Sequence, residues 1–487
     1  MLFQAGARRQ GGGNGGMSEE TTRRGWVRGA AAALAAGAPA GAETVKPNIV
    51  VIISDQFRAD NLGALGRNPM NLTPHLDAMA RRGTLFRSAI CNQPVCAPAR
   101  GCMFTGQYPS THGVWKNGLG LRPGATTLAT ELRQAGYSAN YIGKWHLAPD
   151  EGAKGSRGPV DAAHRGGFLD LWEGSNELEF TSHPFEGDLY DGDGRAIHFS
   201  NMYRADFMTA RAERFLKNVR APFFLTLSYL EVHHQNDIDK FVAPEGYSER
   251  YRNSWTPEDL RALPGTWRSQ LADYYGCVAK MDETVGRVLG LLDENGFGKN
   301  TIVVFLSDHG CHFRTRNTEY KRSPHESSIH IPLIVSGPGF DRSIEISELV
   351  SQVDLAPTLL DAVGIRAPGT MQGRSVLPLV QRKTEGWRNE VYFEMSEFVT
   401  GRGLRTPEWT YAAAAPKRAG WKPERASDAY VEYIMYDLKA DPFQQVNLAG
   451  RAETRDAAAG LRERLIERIV EAGDAKAEIE PAWFPYP

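Results

Sequence analysis

Eleven residues from Cys96 to Gly106, CAPARGCMFTG, set a cysteine, a proline and an arginine at the start of a stretch that reads as a helix. A small exposed side chain at such a start faces the bare N–H groups of the first turn, where anionic groups are stabilised. Taken alone, Cys-x-Pro-x-Arg more often marks a buried or disulfide-bonded cysteine beside a turn proline. Four further stretches, however, carry polar residues just past the carboxyl end of an apolar run, where open α/β sheets bind ligands. Asp55, Gln56 and Arg58 follow IVVIIS, and Lys144 and His146 follow YSANYI. His233, His234, Gln235, Asn236 and Asp237 follow FFLTLSYL; Asp308 and His309 follow IVVFLS, with Lys321 a few residues on. Such a set suits hydrolysis of an ester of a tetrahedral dianion. That reaction needs a hard cation to gather oxygens, cationic side chains to hold the charge of the transition state, and an acid for the leaving group. Asp55, Asp308 and Gln56 offer the oxygen ligands that Ca²⁺ or Mg²⁺ prefers. Arg100, Lys144 and Lys321 supply positive charge, and His146 and His233 can move protons near neutral pH.

The elements that must position these residues are legible from their patterning. Ile49–Ser54 is a continuous β-branched run, the signature of a strand buried on both faces. Residues 137–142, 223–230, 302–307 and 331–336 read as further strands. Thr73 and Pro74 open a helix that Gly83 closes. Further helices are predicted over 127–134, 271–295 and 354–363. Strands alternating with helices indicate an α/β fold with a doubly wound, mostly parallel sheet. Residues 150–205, rich in Gly, Asp, His and Ser, read as a functional insertion or mobile loop. After about residue 385 short mixed strands (391–394 and 430–436) flank an Ala/Pro/Lys-rich loop, and 452–472 is a charged amphipathic helix. The expected organisation is a catalytic domain over 43–385 and a smaller α+β domain with an antiparallel sheet over 386–487.

At 487 residues the chain can bury two cores, and a net charge of −2 argues against nucleic acid as the main partner. No apolar run is long enough to span a bilayer. Residues 1–16 are Gly-rich, and from Met17 onward Arg23-Arg24, an apolar run over 29–38 and Ala40-Gly41-Ala42 form the parts of an export signal. The adjacent arginines resemble a twin-arginine signal, so a periplasmic or secreted location is expected, with cleavage near Ala42. Of the five cysteines, Cys91, Cys96, Cys102, Cys277 and Cys311, an odd number leaves one thiol without an internal partner. A Cys91–Cys102 disulfide stays open.

In this order, NIVVIISDQFRADNLG, CAPARGCMFTGQYPSTHGV, GYSANYIGKWHL, FFLTLSYLEVHH, VVFLSDHG and IHIPLIVSGPG resemble the successive blocks of the formylglycine-dependent sulfatases, within the alkaline phosphatase-like superfamily. MYDLKADPFQQVNLAG resembles the ending of that family's C-terminal domain. The resemblance implies that a formylglycine-generating enzyme oxidises Cys96 to formylglycine, whose hydrate attacks sulfur and whose second hydroxyl then expels sulfate. It implies that Arg100 holds the hydrate, that Lys144 bridges nucleophile and sulfate, and that His146 assists release of sulfate. His233, with Lys321, would face the leaving-group oxygen as general acid. Asp55, Gln56, Asp308 and His309 would hold a divalent metal.

The sequence departs from the family's commonest pattern. Gln56 replaces a second Asp, and His309 stands where Asn is usual. Ca²⁺ stays favoured, with Mn²⁺, Mg²⁺ or Zn²⁺ admitted. Ala99 replaces a frequent Ser, and Val232 precedes His233 where Pro is usual. A sulfated carbohydrate is the expected substrate, with His234, Gln235 and Asn236 as candidate contacts. A phosphonate or phosphate ester hydrolase on the same site, or a binder with an unmodified Cys96, are the competing readings. His325–His330 has one residue too many for HExxH, Arg195 spoils an EF-hand loop, and no GxSxG elbow is present.

Overall fold

The computed structural model describes residues 46–150, 157–416, 422 and 424–483. The expected export signal at 1–42 lies outside them. The core of the fold is a run of five parallel strands in the order Thr301–Ser307, Asn48–Ser54, Phe223–Tyr229, Ser138–Lys144, Trp172–Ser175. Side chains of consecutive strand residues point to opposite faces. Val50, Ile52, Leu225, Leu227, Val303 and Phe305 accordingly join one apolar cluster, and Ile49, Val51, Ile53, Phe224, Val304 and Leu306 join the other. Helices Pro74–Arg82, Arg204–Leu216 and Trp267–Glu294 pack into the first cluster. Helices Cys96–Thr105, Leu128–Gln134 and Leu355–Ala362 pack into the second. This is the doubly wound arrangement expected from the β-branched runs.

Register levels the strand ends. Ser54 lies opposite both Ser307 and Tyr229, so Asp55, Asp308 and the loop that carries His233 leave the sheet at one height. The expected strand over 331–336 is shorter, Leu333–Ser336, and runs antiparallel to Thr301–Ser307, so its exit faces the other edge. Residues 157–205 are not a structureless insertion. Short strands Glu186–Tyr190 and Ala196–Ser200 extend the sheet, and a helical turn, Leu178–Thr181, precedes them in the chain and buries Leu178 in the first cluster. Each strand buries only one apolar side chain, Leu189 and Phe199 respectively, in the first cluster and is otherwise half-buried or exposed, which is why patterning did not reveal them.

A second sheet begins at Val391. Its order is Val391–Met395, Gly401–Arg405, Trp409–Ala414, Ala429–Asp437, Glu478–Glu480, antiparallel except for the last pair. Strands Gly401–Arg405 and Trp409–Ala414 occupy much of the segment expected to be loop. Helix Arg455–Glu471 covers it with Ala458, Leu461, Leu465 and Ile469, one stripe at helical spacing. Residues from Lys46 onward form one compact unit, so this sheet is a subdomain of a single body. All five cysteines are free and buried, which removes the Cys91–Cys102 disulfide. No described helix is long and apolar enough to cross a membrane.

Every residue of the helix Cys96–Thr105 is buried. Gly101 lets it approach the ring of His112, since a Cβ there would lie 2.5 Å from Cε1. That ring is itself held, because Val114 N–H donates to its Nδ1 at 3.1 Å. Gly101→Ala should therefore cost about 1–3 kcal/mol by overpacking, read as a lowered midpoint in denaturant melting. An unchanged midpoint would show that His112 yields freely.

Candidate active site

At the levelled strand ends, Cys96 is 1% exposed, not the exposed side chain its helix position suggested. Three cationic side chains surround its neighbourhood. Lys321 Nζ lies 2.9 Å from Cys96 Sγ, 3.2 Å from His233 Nε2 and 3.0 Å from His309 Nε2. Lys144 Nζ lies 3.7 Å from the sulfur and bridges Asp55 Oδ2 (2.8 Å) and Glu179 Oε1 (2.9 Å). Arg100, fully buried, spans Asp55 and Asp308 through Nη2 at 3.2 Å each, while Nη1 donates to Ser228 Oγ and Lys144 O. Burial pushes the Cys96 thiol up, but the charges of Lys144 and Lys321 outweigh it and hold the thiol well below its ordinary value. The sequence-predicted Cys96, Arg100, Lys144, His233, Lys321, Asp55, Asp308 and His309 thus form one connected cluster.

Two rings of the cluster show their tautomers. His309 Nδ1 donates to Gly310 O at 2.9 Å, which leaves Nε2 as a lone-pair donor 3.3 Å from Cys96 Sγ. His233 Nδ1 donates to His234 O at 2.6 Å, so its Nε2 faces Lys321. Val232 N–H donates to Asp55 O at 2.9 Å, a bond that the more usual proline could not make. His146 is buried with both ring nitrogens lacking hydrogen-bond partners, Nε2 being 3.7 Å from Glu177 Oε1 and Nδ1 3.9 Å from Glu179 Oε1.

Asp55, Asp308, His309 and Cys96 each bring one potential ligand atom within 4.8 Å of the others, all buried. Burial and the adjacent Asp55 charge raise Asp308 above the usual carboxylate range. Two close carboxylates and an imidazole lone pair in that condition fit a divalent cation. Gln56 joins the ring through its main chain, which donates to Asp308 Oδ1 at 3.1 Å. Its side chain, expected among the ligands, is instead held by Cys311 Sγ and by His234 Nδ1, which donates to its Oε1 at 3.3 Å.

Other expectations are redirected. Arg58 turns away to Asp60 and Asp259 and lines a separate cavity of about 300 Å³ with Trp255, Arg316 and Phe443. Gln235 is buried and donates to the carbonyls of Glu179 and Ser182, so its amide nitrogen serves the protein rather than a ligand. Asp237 faces His183 at 3.8 Å. His234 stacks between His233 and Tyr320, with centroids 4.4 and 4.2 Å away. Asn236 keeps an unpartnered Oδ1. Sequence reasoning missed Glu177, Glu179 and Ser228. The first two lie in the polar insertion without periodicity, and Ser228 is an ordinary strand residue.

A family model described as "Sulfatase" matches residues 47–365, and one described as "N-sulphoglucosamine sulphohydrolase, C-terminal" matches residues 318–471. The chain belongs to the sulfatase family. An ulvan-active sulfatase of Formosa agariphila is 29% identical over 454 residues, 89% of this chain and 83% of the relative. The multifunctional alkaline phosphatase superfamily protein PehA of Trinickia caryophylli is 27% identical over 477 residues, 83% and 91% of the two chains. The crystal structure of the Bacteroides fragilis sulfatase yidJ superposes with a TM-score of 0.76 at 26% identity, covering 88% of this chain and 96% of that one. This sulfatase is therefore a hydrolase of sulfate esters.

A cation bound by this cluster in the native state alone would stabilise the protein by mass action, about 2.7 kcal/mol at a hundredfold excess over Kd. Adding CaCl₂ to chelator-treated protein should raise its melting temperature, and Asp308→Asn should erase that rise. A melting temperature indifferent to divalent cations would contradict the assignment.

Proposed function

We propose that this sulfatase acts on a sulfated carbohydrate, with formylglycine derived from Cys96 as nucleophile and a divalent metal, Ca²⁺ by preference, at Asp55, Asp308 and His309. The observation that carries the reading is the placing of Lys321 and Lys144 around a buried Cys96 sulfur at the start of a helix. Formylglycine supplies a hydrate with two hydroxyls, one to attack sulfur and one to drive release of sulfate. The metal supplies a fixed charge for sulfate oxygens and the nucleophile.

The chain's own residues do the rest. Arg100, fixed by Ser228 and the Lys144 carbonyl, sets a positive charge between Asp55 and Asp308. Lys144, with two N–H groups on carboxylates, turns a third toward the nucleophile. Lys321 and His233, 3.2 Å apart, form the pair that places a proton on the leaving-group oxygen, with His233 the general acid. His146, next to Glu177 and Glu179, takes the proton whose removal releases sulfate. Residues 1–42 support export, which places conversion of Cys96 by a formylglycine-generating enzyme beforehand.

The carbohydrate assignment draws on the ulvan-active relative and on the polar rim around His234 and Asn236. One observation favours a second reading. His309 adds an imidazole to the cluster, and PehA is described as multifunctional, so phosphonate or phosphate monoesters compete for the same site. Turnover of an aryl sulfate should exceed that of the matching phosphonate monoester. The reverse order would overturn the substrate assignment. Cys96→Ser should cost more than about a thousandfold in kcat, because serine cannot supply the second hydroxyl. A smaller loss in well-folded protein would remove Cys96 from the mechanism.

A further inference from the structure

The helical turn Leu178–Thr181 reaches the catalytic cluster from the polar insertion and carries one buried acid into it. Glu179 is 4% exposed, and its Oε1 lies 2.9 Å from Lys144 Nζ and 3.9 Å from His146 Nδ1. The turn is anchored by side chains of two other segments. Gln235, two residues from the proposed acid His233, donates to the carbonyls of Glu179 and Ser182 at 2.9 and 3.1 Å. Arg204 donates to Ser182 Oγ at 3.0 Å and pairs with Glu231 at 3.0 Å. Glu179 is therefore placed by the same loop that places His233.

An ammonium group has three N–H donors in tetrahedral directions. In Lys144 one is taken by Asp55 and one by Glu179, which leaves the third a single direction, toward Cys96 at 3.7 Å. Asp55 also faces the metal cluster, so Glu179 is the one of these two acids that serves the lysine without serving the metal. From this geometry we infer that Glu179 is a positioning residue, which aims the Lys144 ammonium at the nucleophile and the transferring sulfate. The inference rests on the reading of Lys144 as a contact of nucleophile and sulfate.

A double-mutant cycle tests it. Glu179→Gln, Lys144→Ala and the double variant are compared by kcat/KM for an aryl sulfate and by calorimetric binding of inorganic sulfate. If Glu179 acts through Lys144, Glu179→Gln lowers kcat/KM about tenfold in the native background and causes no further loss in the Lys144→Ala background. Sulfate binding weakens in the same non-additive way, a readout that needs no turnover. Equal losses in both backgrounds would show a merely structural role and overturn the inference. Should Glu179→Gln not fold, Glu179→Asp, which keeps the charge but draws the ammonium aside, replaces it under the same criterion. An inactive native enzyme would instead overturn the functional reading and leave the sulfate-binding cycle to judge Glu179.

Discussion

Asp55 and Asp308 stand side by side, fully buried, at the carboxyl ends of adjacent strands. Buried carboxylates of this kind cost several kcal/mol each unless paired. Much of the surrounding architecture can be read as compensation for them. Arg100 spans both, Lys144 covers Asp55, and main-chain N–H groups of Gln56 and His309 meet Asp308 Oδ1 at 3.1 and 2.9 Å. The same cations that neutralise the acids also surround Cys96. Charge balance and catalysis are thus one arrangement, and a change in either carboxylate reaches the nucleophile through Arg100 or Lys144.

The fold makes that arrangement rigid. Strand register fixes the height of Asp55, Asp308 and the His233 loop, and the wholly buried helix Cys96–Thr105 fixes the nucleophile against them. Close approaches require glycine at two further points. Gly143, at φ +113°, lets the strand preceding Lys144 pass Ser228 O, and Gly310 lets the Asp308 loop pass Ser327 O, since added Cβ atoms would lie 2.1 and 2.2 Å from those oxygens. The positions of Lys144 and His309 are therefore set by backbone packing as well as by charge.

Much of this was legible in the sequence, and for specific reasons. The central strands are continuous β-branched runs, so their ends, and the polar residues past them, could be read directly. The residues that escaped have no such pattern. Glu179 sits on a single helical turn in a Gly- and Asp-rich segment, and only tertiary contacts such as those of Gln235 bring it to Lys144. Gly401–Arg405 and Trp409–Ala414 lie beside the Ala/Pro/Lys-rich stretch that dominated the reading there. By contrast, Arg204–Leu216 buries Ala205, Met208, Ala212 and Leu216 at helical spacing, a periodicity the sequence does carry. Gln56, Arg58 and Gln235 were placed at the correct edge. Residue type alone could not reveal that neighbouring Cys311, Asp259 and Glu179 engage them.

The central claim is that Cys96 is the precursor of the nucleophile rather than a buried thiol among cations. Mass spectrometry of the peptide containing Cys96, from protein produced with a formylglycine-generating enzyme and shown to turn over an aryl sulfate, tests it most directly. The account predicts that Cys96 is found as the aldehyde or its hydrate, in a fraction that tracks specific activity across preparations. Full activity in protein whose Cys96 is entirely an unmodified thiol would contradict it.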